Sequence, residues 1–171
     1  MEQLVRDARI TMIYEGANAV QALDLVGRKL PRDGGRALIA FFGEVDGALA
    51  EVSDDEELRD IAAALKAARD DLEAATTWFM SNAMAAPDNA GAGASDYMHL
   101  FGLVALGLMW LKIACVAKED LASGEGDADF LHDKLVLARH FAARTLPESA
   151  MRRARVEAGA ETVMALKADA F

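Results

Sequence analysis

An all-α fold, an antiparallel helical bundle of the four-helix-bundle kind preceded by a helix-loop-helix segment, follows from three observations on the 171-residue sequence. Composition comes first: 36 alanines stand against 3 prolines and 2 tyrosines, which favours helix and starves a sheet of aromatic and branched side chains. Apolar residues then recur at alternating spacings of three and four, the period of one helix face. Finally, short stretches rich in Gly, Pro, Asp and Asn separate these runs, so successive helices bury their stripes most easily as antiparallel neighbours.

The elements follow in order. Val5, Ala8, Met12 and Ile13 predict a first helix, Tyr14-Glu15-Gly16 a break, and Val20, Leu23 and Val26 a second helix. After the Pro31–Gly35 interruption, Leu38, Phe41, Phe42, Val45, Leu49 and Val52 predict a third. Ser53 and Glu56 fit a capping box that starts the next helix, with Asp54, Asp55, Glu56 and Glu57 in its first turn, where the macrodipole favours negative charge. Leu58, Ile61, Leu65, Ala68, Leu72, Ala75 and Phe79 form its core-facing stripe. Pro87 to Ala94 predicts a loop, and Ser95 the cap of an apolar helix running toward Leu121. Two glycines between Ser123 and Asp127 precede a helix with Phe130, Leu131, Leu135, Ala138, Phe141 and Ala142. Thr145 and Glu148 fit a second capping box, and the last helix would carry Val156, Val163 and Leu166.

Charge and cysteine usage bound the function. Eighteen basic and 28 acidic side chains leave a net charge of −10, so nucleic acid is not an expected partner. Cys115 is the single cysteine, which excludes an internal disulfide and a thiolate zinc cluster and makes a reducing cytoplasm the default. Leu100 to Val116 approaches the length of a membrane span. Lys112 interrupts it and Glu119 and Asp120 follow it, so a buried central helix is expected and no membrane span. Asp96-x-x-His99 and Asp129-x-x-His132 share the i, i+3 spacing of di-metal bundles, but helix-start aspartates explain them more simply, and no metal site is expected. Trp78, Phe79, Met80 and Met84 with Met98, Phe101, Met109 and Trp110 are read as core rather than as a groove for an acyl chain.

The most specific stretch runs from Arg6 to Leu25, R-D-A-R-I-T-M-I-Y-E-G-A-N-A-V-Q-A-L-D-L. It resembles the segment of acyl-CoA dehydrogenases written R-D-A-x-I-x-x-I-Y-E-G-T-N-x-I-Q, which carries their catalytic glutamate. Val26-Gly27-Arg28-Lys29-Leu30 extends the resemblance to the branch with an extra C-terminal helical domain, that of the 3-methylmercaptopropionyl-CoA dehydrogenases. The resemblance implies that residues 1–30 end the dehydrogenase's helical domain and that residues 31–171 are the appended bundle. Glu15 would be the base that takes the α-proton of an acyl-CoA thioester, and Gly16 would lie against the substrate. Ala17, Asn18 and Ala19 would lie on the FAD, with Ala17 standing where the family has threonine. A base held over a weakly acidic α-proton and partly desolvated suits that step.

The sequence shows no glycine-rich strand-to-helix turn for a flavin pyrophosphate. The resemblance therefore implies a C-terminal piece of a longer, homo-oligomeric enzyme, inactive alone, that passes electrons to an electron-transfer flavoprotein or similar acceptor. The alternative is a stand-alone acidic bundle that serves interaction or oligomerisation without catalysis.

Overall fold

Side chains spaced three and four apart need a facing surface, and the centre of the molecule is where these stripes meet. The computed structural model describes residues 2–13, 17–83 and 86–170, without the side chain of residue 168. It contains α1 (Glu2–Ile13), α2 (Asn18–Asp24), α3 (Arg36–Glu51), α4 (Arg59–Asn82), α5 (Pro87–Ser123), α6 (Ala128–Arg144) and α7 (Glu148–Glu157). A π-helical turn at Leu25–Lys29 prolongs α2, and 3-10 turns lie at Arg32–Gly35 and Ala168–Ala170. Among the described residues there is no strand, as the composition predicts.

The organising element is α5, whose 37 residues pack against α4, α6, α7 and α2. Side-chain pairs show the direction of each neighbour. Thr76 of α4 hydrogen-bonds Tyr97 of α5 at 2.7 Å, while Asp55, ahead of α4, meets Lys118 far along α5, so α4 and α5 are antiparallel. On another side, Trp110 and Phe141 lie 6.2 Å apart, Arg152 reaches Asp96 at 2.6 Å and Asn89 accepts from the Ala160 backbone at 2.9 Å. Thus α6 and α7 follow one another along α5 and share one antiparallel path. The predicted α4 stripe is wholly buried, from Leu58 to Phe79, each large member contributing roughly 1.5–3 kcal/mol.

Several boundaries differ from the sequence expectation. Ser53 caps nothing: Asp55 accepts the Glu57 and Leu58 backbone N–H groups at 3.0 and 3.3 Å, and α4 starts at Arg59. The acidic run therefore forms the turn before the helix. Pro87 to Ala94 is helix, not loop, and Ser95 lies inside α5 rather than capping it. Pro87 occupies the first turn, where a missing N–H is harmless. Gly93 is present for close approach, since a Cβ there would stand 2.9 Å from Phe79 Cζ. Asp127 caps α6 as a true side-chain cap, accepting from Asp129 and Phe130. The Thr145 box does not form; α7 starts at Glu148 without a side-chain cap and stops at Glu157, leaving Val163 and Leu166 exposed. Gly159, at φ 64°, lies just beyond that end, where the left-handed conformation favours glycine.

The second helix also presents a different face. Ala22, Val26 and Leu30 are buried, whereas Val20 and Leu23 are exposed. The switch to a π-helical turn, with the Leu30 N–H donating to the Leu25 carbonyl at 2.8 Å, moves the register that a regular helix would have kept. Although α5 is long and apolar enough to cross a membrane, ten of its residues are buried in the bundle. Asp96 lies in mid-helix beside Arg152 and Arg155, not in a first turn. Among the described residues no three His, Cys, Asp or Glu side chains converge as a metal site.

Candidate functional site

The segment of interest joins α1 to α2. Along one exposed side of helix α1, Glu2, Gln3, Arg6 and Asp7 interlock: Arg6 lies 3.2 Å from Glu2, and Gln3 donates to Asp7 at 2.7 Å, pairs that each add only on the order of a few tenths of a kcal/mol. These charges are spent within the helix, which fits a structural role for Arg6 and Asp7. The other faces of α1 carry Leu4, Val5, Ile10, Met12 and Ile13, and every one is exposed, Met12 by 83%. No residue of α1 is buried.

Tyr14, Glu15 and Gly16 lie outside the described residues, so the expected base and the substrate-side glycine have no described geometry here. Ala17 precedes α2 at φ −72° and ψ 87°, and its carbonyl accepts the Gln21 N–H at 3.1 Å. Asn18 and Ala19 follow in the first turn, and all three residues are exposed. Of these, Asn18 alone carries a polar side chain, an amide that can both donate and accept. Together they offer one open edge. They do not enclose a three-ring cofactor, so they fit a flavin only as part of a larger pocket.

Behind that edge, α2 is fixed at its far end. Arg28 holds Asp24 through two hydrogen bonds, one at 2.9 Å, and Lys29 lies 3.3 Å away. The Arg28 guanidinium lowers the Asp24 carboxyl to about 2, against a smaller opposing effect of burial and with further help from Lys29. The buried Ala22, Val26 and Leu30 then seat this segment on α5.

Other charged clusters are structural in their geometry. Arg69 bridges Asp46 of α3 at 2.8 and 2.9 Å and also pairs with Glu73, while its guanidinium carbon sits 4.7 Å above the Phe42 ring. Lys118 chelates Asp55 at 2.6 and 2.7 Å. Asp71 accepts from Ser149 at 2.7 Å and tethers α7 to α4. Apart from the i, i+4 pair of Arg69 with Glu73, these contacts join residues more than twenty positions apart, and no local signal in the sequence pairs them. Burial raises the Cys115 thiol above its usual range, helped by Glu119, Asp55 and Glu51, so it stays protonated and inert. Phe79 is buried as expected, but Met80 and Met109 are half-exposed and so are not the core residues that their helical spacing suggested, and Met84 lies outside the described residues.

Comparison with known proteins points to the same family as the resemblance of the short motif. Residues 41–167 match the family described as acetyl-CoA dehydrogenase C-terminal like. The chain is 37% identical over 155 residues to a 3-methylmercaptopropionyl-CoA dehydrogenase of Ruegeria pomeroyi, a match over 90% of this chain and 26% of that protein. It is 30% identical over 179 residues to a broad-specificity linear acyl-CoA dehydrogenase of Mycobacterium tuberculosis, over 100% of this chain and 29% of the relative. The chain thus spans little more than a quarter of the length of these curated relatives. With the family match covering most of α3 and all of α4 to α7, the chain belongs to the acetyl-CoA dehydrogenase C-terminal-like family.

Proposed function

We propose that this chain is the C-terminal part of an FAD-dependent acyl-CoA dehydrogenase, in which residues 1–30 complete the catalytic domain and residues 31–171 form an appended bundle. The observation that carries this reading is α1: a twelve-residue helix with five large apolar side chains exposed and none buried. Helices this short are marginal in water without a tertiary surface. An apolar face of that size fits a covering domain. The two relatives, matched over about a quarter of their length, are longer by an amount that leaves room for such a domain.

In this reading the Glu15 carboxylate removes the α-proton of the acyl thioester, and Gly16 lets the substrate approach the backbone closely. The flavin supplies the hydride acceptor. Asn18 would place its amide on that cofactor, with Ala17 and Ala19 offering backbone groups. An electron-transfer flavoprotein or similar acceptor would reoxidise the enzyme, which would be cytoplasmic and homo-oligomeric. The 171-residue chain alone should turn over no acyl-CoA.

The test is to express the longer in-frame polypeptide that precedes and includes this chain, assay it with acyl-CoA thioesters, and compare Glu15→Gln. Loss of the base should lower kcat by about 10²- to 10⁴-fold with flavin content retained. Undiminished kcat in the variant, or turnover by the short chain alone, would overturn the assignment. The second reading, an acidic bundle without catalysis, draws on the family match spanning residues 41–167 and not residues 14–19. A stop codon directly upstream of Met1 would favour it.

A further inference from the structure

Between the open edge at Ala17, Asn18 and Ala19 and the bundle stands one irregular turn of helix. Ala22, Val26 and Leu30 are buried at spacings of four and four, where this segment meets α5. In a regular α-helix two such steps drift by about 80° around the axis, and Leu30 would leave the line of Ala22. The π-helical turn at Leu25–Lys29 takes up that drift, because it holds one residue more than an α-turn. Its i, i+5 bond joins the Leu30 N–H to the Leu25 carbonyl at 2.8 Å. Asp24 spans the same turn with its side chain. Both of its oxygens accept from Arg28, four residues on, and it lies 3.3 Å from Lys29, five residues on. In an α-helix the fifth residue stands about 140° away around the axis, so the reach to Lys29 belongs to the wide turn.

We propose that the wide turn sets the rotation of α2 and thereby the direction of Asn18, with Asp24 as a positioning residue that acts through Asn18 on a bound flavin. The inference rests on the reading of Ala17, Asn18 and Ala19 as the flavin edge. Ahead of the turn, Ala22 is the single buried residue among those described, so α2 has no other seat to hold its rotation. Leu30, in contrast, is tied to the bundle by the chain that follows it. Closing the turn as an α-turn with the same residues would therefore leave Leu30 in place and rotate α2 by about 80°. Asn18 would swing with it, away from the side it now presents. The Asp24 carboxylate opposes that closure by holding the fourth and fifth residues together on one face.

The longer in-frame polypeptide, purified with its flavin, carries the test, with flavin release after dilution followed by fluorescence. Asn18→Ala should speed release about 2- to 10-fold, the loss of one hydrogen bond. Asp24→Ala should speed it by a similar factor. The double variant should release no faster than Asn18→Ala alone, because Asp24 then has no amide left to aim. Deletion of Gly27 gives the sharper check. That glycine is exposed, with open space where a Cβ would stand, and without it Leu30 follows Ala22 by seven residues. Seven residues realign within about 20° in a regular α-helix, so the deletion should return Asp24→Ala to wild-type release. The 171-residue chain with Asp24→Ala should keep the cooperative thermal melt of the wild type, which separates loss of aim from loss of fold. Wild-type release in Asp24→Ala beside faster release in Asn18→Ala, additive effects in the double variant, or a deletion that does not rescue would overturn the positioning role. Wild-type release in Asn18→Ala would overturn the flavin edge itself, and the positioning role with it. Turnover of acyl-CoA is not read, so the role of Glu15 as base stands or falls separately.

Discussion

At position 93 the absence of a side chain is what brings α5 onto α4 and α7. A Cβ there would stand 2.9 Å from Phe79 Cζ, too close for two carbons, and that ring is buried edge-on against Tyr97 with centroids 5.1 Å apart, so it has little freedom to turn away. Alanine gains about 1 kcal/mol of helix propensity over glycine, whereas overpacking a filled core costs about 1–3 kcal/mol. Gly93→Ala should therefore lower stability despite the better helix former. Gly43, in the exposed middle of α3, has nothing within 4 Å of such a Cβ, so Gly43→Ala should raise stability by roughly 0.5–1 kcal/mol. Urea unfolding of the two variants decides the matter, and midpoints that move in the same direction would refute the close-approach account. Tyr97 offers a second check. Its hydroxyl meets Thr76 at 2.7 Å in the core, and burial pushes the phenol up to about 12 against the smaller lowering effect of that hydrogen bond. Tyr97→Phe should cost about 1 kcal/mol in the same urea experiment, because Thr76 keeps its bond to the Leu72 carbonyl and is not stranded.

Helix interiors and helix ends were not equally legible. The α4 stripe was readable because burial at a 3.6-residue period leaves the same trace wherever the partner comes from. The start of α4 was not, because Ser53 and Asp55 are both competent acceptors, and it is Asp55, held by Lys118 sixty-three residues away in sequence, that takes the Glu57 and Leu58 N–H groups in the turn before the helix. Similarly, Gly91 and Gly93 read as loop punctuation, while the Phe79 ring that requires Gly93 is legible only in space. The Asp55–Lys118 clasp predicts a pH dependence. The hydrogen bond from Lys118 holds the Asp55 carboxyl below its ordinary 3.8, against a smaller effect of burial and with help from the Glu57 and Leu58 backbone N–H groups. A carboxyl with a lowered folded-state pKa adds stability that is fully present above about pH 4. That stability is lost as the pH falls below 3.8 toward the folded-state value. Thermal melts across that acid range should show Lys118→Met losing less on acidification than the wild type. Parallel acid profiles would mean that the clasp adds nothing to folding.

Across the whole molecule, burial is distributed unevenly, and that unevenness bears on function. From Ala22 onward every major helix contributes to one core, yet α1 contributes nothing to it. The periodicity of Val5, Ala8 and Met12 made α1 legible as an amphipathic helix, but a pattern states which face wants cover and not where the cover lies. Likewise the Y-E-G motif was readable as local chemistry, while the site around it depends on surfaces that Ala17, Asn18 and Ala19 only border. Opening free energies should follow this division. In the 171-residue chain, amides of α1 should exchange with solvent at nearly unprotected rates, while those around Leu65, Leu72, Leu100 and Leu111 should exchange only through global opening. In the longer in-frame polypeptide the same α1 amides should become protected, because the apolar face then has a surface to pack on. Hydrogen exchange read by mass spectrometry on both proteins separates the two functional readings without an activity assay. Protection of α1 that appears only with the preceding polypeptide places the Glu15 segment in a domain contact. If α1 remains unprotected in both, that contact does not form, and the catalytic reading loses the surface on which Glu15 would have to be held.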